Sequence, residues 1–184
     1  ERAAAARAVI AMDDELDDRM EQIFRELLSF MIEEPKTTTR SLRLMFVAKY
    51  FERMGDQCVN ISKVIPLTGH DAPQHEDMVD RILRMGKQAR SMVSQAKKAF
   101  EGRDVELARD LGRQDDVVDQ LNKECFALAV EVGEQKDVRE WAMTMMLVAR
   151  AIERIGDNAV DIGEQVAFVV TGLFREFEDA SHPG

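Results

Sequence analysis

One ten-residue pattern occurs twice in the chain. Glu153-Arg154-Ile155-Gly156-Asp157-Asn158-Ala159-Val160-Asp161-Ile162 has a near copy 101 positions earlier, Glu52-Arg53-Met54-Gly55-Asp56-Gln57-Cys58-Val59-Asn60-Ile61. A constant offset with retained chemistry marks an internal repeat, so both halves must be built from the same elements in the same order. The shared core, Glu-Arg-apolar-Gly-Asp, sets two carboxylates four residues apart. That is one helical turn, and both side chains leave the same face.

Helical periodicity runs through the chain. Residues 1 to about 33 read as one long helix with a stripe of Leu16, Met20, Ile23, Leu27 and Phe30. Pro35 ends it by biasing its predecessor away from the α region. Thr37, Thr38 and Thr39 offer cap oxygens for a second helix, about 38 to 65, with a seam of Val47, Phe51, Met54, Cys58, Ile61 and Ile65. Pro66 to His75 reads as a linker. A third helix, about 76 to 101, turns Val79, Ile82, Ala89, Met92, Ala96 and Phe100 inward, and Gly102 closes it. A fourth, about 104 to 133, carries Val118, Asn122, Cys125, Ala129 and Val132 on one face. The fifth, about 137 to 172, has the seam Val148, Ile152, Ile155, Ala159, Ile162 and Val166. The expected organisation is a first repeat over 1–66, a linker over 67–75, a second repeat over 76–172 and a polar tail over 173–184. The first repeat has two helices where the second has three. Symmetry therefore leads us to expect a further helix ahead of Glu1.

Four acidic pairs share the one-turn spacing: Asp13/Asp17, Glu52/Asp56, Asp115/Asp119 and Glu153/Asp157. Asp161 extends the last face, and Asn60 stands in its place in the first repeat. If the two helices of a repeat lie side by side, their carboxylates converge, and such a cluster stays ionised only with a compensating cation. Oxygen ligands suit Mg, Ca, Mn or iron. A solvated acidic face is the other reading of the same acids, and recurrence in register favours the site.

The charge balance narrows the rest. Asp and Glu number 35 against 25 Lys and Arg, for a net charge of −10. Such a chain repels nucleic acid and suits cationic partners. No apolar run is long enough to span a membrane. Cys58 and Cys125 read as small buried thiols, and Trp141 as packing. The chain has no nucleophile elbow or phosphate-binding loop. His70, His75 and His182 fall in expected loops or the tail, which speaks against a di-iron carboxylate enzyme, since that chemistry uses Glu-x-x-His on two helices.

The motifs Glu52-Arg53-Met54-Gly55-Asp56 and Glu153-Arg154-Ile155-Gly156-Asp157-Asn158-Ala159-Val160-Asp161-Ile162-Gly163-Glu164-Gln165-Val166 closely resemble the PhoU family of bacterial phosphate-regulon regulators. The resemblance implies an all-α fold of two tandem three-helix bundles, the first lacking its N-terminal helix here. It implies a non-enzymatic adaptor, a negative regulator acting between the phosphate ABC-transporter ATPase and a membrane sensor histidine kinase. It further implies a cytoplasmic homodimer that meets the membrane only through partners; no nucleic-acid partner is expected, on the charge balance above. Similar proteins bind metal clusters, of iron or zinc in some and magnesium or manganese in others, through Glu/Asp-x-x-x-Asp motifs. Those motifs fall on Glu52, Asp56, Glu153 and Asp157, with Asp13, Asp17, Asp115 and Asp119 on neighbouring helices; Asn60 and Asp161 extend the faces. A metal-dependent carboxylate-site enzyme, or a regulator of a different transporter or channel, are the rival expectations.

Overall fold

In the computed structural model, residues 2–64, 66, 74–173 and 177 are described. Five long helices follow one another: α1 (Arg2–Glu33), α2 (Thr38–Val64), α3 (Glu76–Gly102), α4 (Val105–Glu131) and α5 (Lys136–Thr171). Short 3-10 turns, Pro35–Thr37 and Val132–Glu134, precede α2 and α5. No strand occurs among the described residues. The fold is all-α, as the periodicity requires. Most of the expected linker, and His70, Ile65 and His182, lie outside the described residues.

α5 is the hub. It packs on α2, α3 and α4, while α3 and α4 pack on each other and α1 lies along α2. Its seam explains this position: Val148, Ile152, Ala159, Ile162 and Val166 are buried, and Ile155 is half-buried. α3 contributes Met78, Met85 and Met92, seven residues apart and fully buried. Unbranched methionine adapts to the gaps between helices. The expected Val79 and Ile82 are only half-buried, and Phe100 is exposed, because the methionine row and Ala89, Ala96 and Ala99 take the inner face. Trp141 packs with Met78, Ala129, Val132 and Ala142 in a second small core.

Four local expectations are corrected. The threonines do not cap α2 as acceptors. The Thr37 hydroxyl donates to Glu34 O at 2.8 Å and the Thr38 hydroxyl to Pro35 O at 2.8 Å, so they close the 3-10 turn between α1 and α2 instead, with Thr37 also reaching Phe30 O of α1 at 3.3 Å. Gly102 stays helical, and Arg103 takes the left-handed conformation with φ 52°. The next residue explains it: Asp104 Oδ1 accepts from the backbone N–H groups of Glu106 and Leu107, both at 3.0 Å. That cap is worth about 1 kcal/mol, comparable with the cost of about 1–2 kcal/mol for a left-handed L-residue. Cys58 is exposed while Cys125 is buried. α2 serves both α1 and α5, so its buried face rotates onto Val47, Met54, Val59, Ser62 and Val64, past Cys58. Finally, the α1 stripe is covered on one side only. Leu16, Met20 and Leu27 are half-buried, whereas Ile23 and Phe30 are exposed.

Candidate metal centre

Each motif glycine brings an acid of the neighbouring helix onto its own backbone. A Cβ on Gly156 would lie 2.5 Å from Asp115 Oδ1, so glycine is what allows α4 to set this carboxylate against α5. The same arrangement recurs on α1 and α2. A Cβ on Gly55 would lie 2.6 Å from Asp13 Oδ1 and 2.5 Å from Leu16 Cδ2.

The second repeat gathers its acids tightly. One oxygen from each of Asp115, Asp119 and Asp157 lies within 4.8 Å of the others. Among the described residues no other three acids are grouped so closely. Asp115 is 2 % exposed, Asp119 7 % and Glu153 7 %, whereas Asp157 stands exposed at the mouth. Burial, with Asp157 beside it, pushes the Glu153 carboxyl up to about 7, against the opposing pull of Arg150. Arg150 pairs with one Glu153 oxygen; the other, Oε2, is buried with no hydrogen-bond partner among the described residues. Asn122 Oδ1, one turn beyond Asp119 on α4, is likewise buried and unpartnered. Buried oxygens without donors are costly. The three converging carboxylates offer an all-oxygen donor set that fits a hard cation, with Glu153 in electrostatic reach of Asp157 and Asp119.

Asp161 does not join that trio. It is half-buried and lines a cleft of about 230 Å³ with Arg53, Asp56 and Gln57 of α2 and Arg154, Asp157 and Asn158 of α5. Burial and then Asp157 push its carboxyl up to about 6.

The first repeat is looser. Asp13 and Glu52 are half-buried, and Asp17, Asp56 and Asn60 are exposed. Burial, then Asp17 and Asp56, raises the Asp13 carboxyl; burial, then Glu52, raises that of Asp56. Lys49 Nζ sits 2.5 Å from Glu52 Oε2. Asn60 donates to Gln57 Oε1 at 3.4 Å on its own helix. The sequence reading placed Asn122 on the core face without assigning it a role. A polar residue on an apolar seam, in register with Asp115 and Asp119, was the available signal. His75 is half-buried at the start of α3, away from the acidic trio's residues.

The family model described as "PhoU domain" matches residues 1–65 and 82–166. The chain is 27 % identical over 179 residues to the phosphate-specific transport system accessory protein PhoU homolog of Clostridium acetobutylicum, covering 95 % of this chain and 81 % of the relative. It is 31 % identical to PhoU homolog 1 of Thermotoga maritima, covering 94 % and 76 %. The fold superposes on the crystal structure of PhoU from Pseudomonas aeruginosa with a TM-score of 0.83 at 22 % identity, over 93 % of this chain and 83 % of that one. The PhoU structure from Streptococcus pneumoniae gives 0.70 at 18 % identity, over 95 % and 89 %. A family model that spans both copies of the Glu-Arg-x-Gly-Asp motif identifies this chain as a member of the PhoU family.

Proposed function

We propose that this chain is an accessory regulator of phosphate transport that carries a metal ion as part of its structure. The observation that carries the reading is the family match across both motif-bearing regions, with relatives named as accessory proteins of phosphate-specific transport. As a PhoU-family chain it is a regulatory protein and not an enzyme, which sets aside the carboxylate-site enzyme. In this reading residues 1–66 and 76–172 act as two repeats. The protein works in the cytoplasm as a homodimer and represses the phosphate regulon by linking the transporter ATPase to the sensor histidine kinase. No helix among the described residues is long and apolar enough to cross a membrane, so partners would bring it there.

The donor chemistry favours iron, magnesium or manganese over zinc, because the gathered ligands are all oxygens. Asp115, Asp119 and Asp157 would hold the ion, with Glu153 and Asn122 beside them. The ion would supply the positive charge that these buried oxygens lack. Asp115 and Asp119 lie on α4 and Asp157 on α5, so the ligand set ties two helices together. α5 in turn packs on α2. Occupancy would therefore bias how the two halves present themselves to partners, as a population shift. The test is a pull-down of the full-length protein from phosphate-replete cells, with bound proteins identified by mass spectrometry. Recovery of the phosphate transporter's ATPase or the sensor kinase is the expected result. Recovery of a different transporter alone would move the role elsewhere within the family.

A further inference from the structure

The cleft between α2 and α5 is lined by the same motif positions from each repeat: Arg53 with Arg154, Asp56 with Asp157, and Gln57 with Asn158. Both arginines are exposed. Neither takes part in any ion pair among the described residues, although seven other arginines do. Arg150, one turn before Arg154 on the same helix, pairs with Glu153. Two arginines thus line one cleft, and although Arg53 acts at range on Asp161 and Arg154 on Glu153, neither is held in a close ion pair. Guanidinium forks match the oxygens of phosphate-type anions.

Three aspartates, Asp56, Asp157 and Asp161, share the cleft, so a bare anion would meet more negative than positive charge. Asp157 is also one of the three grouped acids proposed to hold a cation. A divalent cation there would offset most of that excess negative charge and give the anion a cationic partner beside the two arginines. We propose that this cleft binds inorganic phosphate together with a divalent cation, the anion held between Arg53 and Arg154 and the cation by Asp157 and its neighbours. The volume of about 230 Å³ is enough for a small ion and is below the ~300–1,000 Å³ of pockets that enclose drug-sized molecules. The two halves of the protein would then meet on the ion whose transport the family name concerns. This inference rests on the metal reading above.

The experiment is equilibrium dialysis of the full-length protein with radiolabelled inorganic phosphate, with manganese present or chelated, and manganese content measured in parallel on each sample. The expected result is saturable phosphate binding that needs manganese. Arg53→Gln and Arg154→Gln should each weaken it about tenfold or more while leaving manganese content unchanged, as befits the loss of a charged hydrogen-bonding partner. Arg90→Gln, on the exposed side of α3, should bind like the parent. Manganese retained without phosphate binding would overturn the inference and leave the metal reading intact. Absence of manganese from the parent protein would remove the metal reading and this inference with it. Binding by the two arginine variants as tight as the parent's, phosphate binding without manganese, or displacement by ATP at lower concentration than by phosphate would each overturn the site as described.

Discussion

The two motif sites carry nearly the same residues in different surroundings. In the second repeat, α3 closes over the α4–α5 pair, and Met92 Cε lies 3.6 Å from the place where a Gly156 Cβ would stand. In the first, the three atoms nearest a Gly55 Cβ all belong to Asp13 and Leu16 of α1. Asp115 and Asp119 are accordingly buried, while their counterparts Asp13 and Asp17 are half-buried and exposed. The basic residue three positions before each motif glutamate also differs, Lys49 in one and Arg150 in the other. Duplication copied the carboxylates; the covering helix sets how strongly their charges interact, because the same carboxylates repel far more in a water-poor site.

The largest expected effect separates the sites by metal. Asp115→Asn with Asp119→Asn should weaken cation binding at the second site about a hundredfold or more, taking at least tenfold per carboxylate. Asp17→Asn should change total metal content little, as elemental analysis after dialysis would record. Equal losses from both sites would break the comparison.

The next effect is on pH. The folded Glu153 carboxyl, raised to about 7 from an ordinary 4.5, binds a proton that the unfolded chain has already released. Stability of the metal-free protein should therefore fall as pH rises from about 4.5 to 7, by about 2–3 kcal/mol from this group. Asp161, raised to about 6, acts in the same direction. Denaturant titrations in EDTA would show the slope. Glu153→Gln should flatten it, and added manganese should offset the loss at neutral pH.

Glycine substitution sharpens the contrast sterically. Gly156→Ala must displace buried Asp115 and should cost about 1–3 kcal/mol, or some 2–12 °C in melting temperature for a chain of this length. Gly55→Ala meets a half-buried Asp13 that can move toward solvent, so its cost should be smaller. The smallest effect concerns the turn that seats α3. Asp104→Ala removes the α4 cap and should cost about 1 kcal/mol in thermal or denaturant unfolding, with metal binding by the first site unchanged.

Much of this was legible in the sequence. The five helices fall within a residue or two of their periodic patterns, with the largest departure in α4, where a 3-10 turn takes over after Glu131. The acids that converge are legible from their one-turn spacing. Asn122 was visible only as a polar interruption of an apolar seam. The cleft at Arg53 and Arg154 could not be read, because it exists only where α2 crosses α5.

The sequence by itself determined the helices, the repeat and the facing carboxylates. Each of these follows from the 3.6-residue turn and from spacings of a few residues, which the backbone enforces locally. Tertiary structure alone decided that Asp115, Asp119 and Glu153 are buried while Asp17 and Asp56 are not, that Cys58 turns outward, and that Arg103 rather than Gly102 takes the left-handed turn. Those outcomes depend on which helix covers which face and which neighbour supplies a hydrogen bond, and no local spacing encodes either.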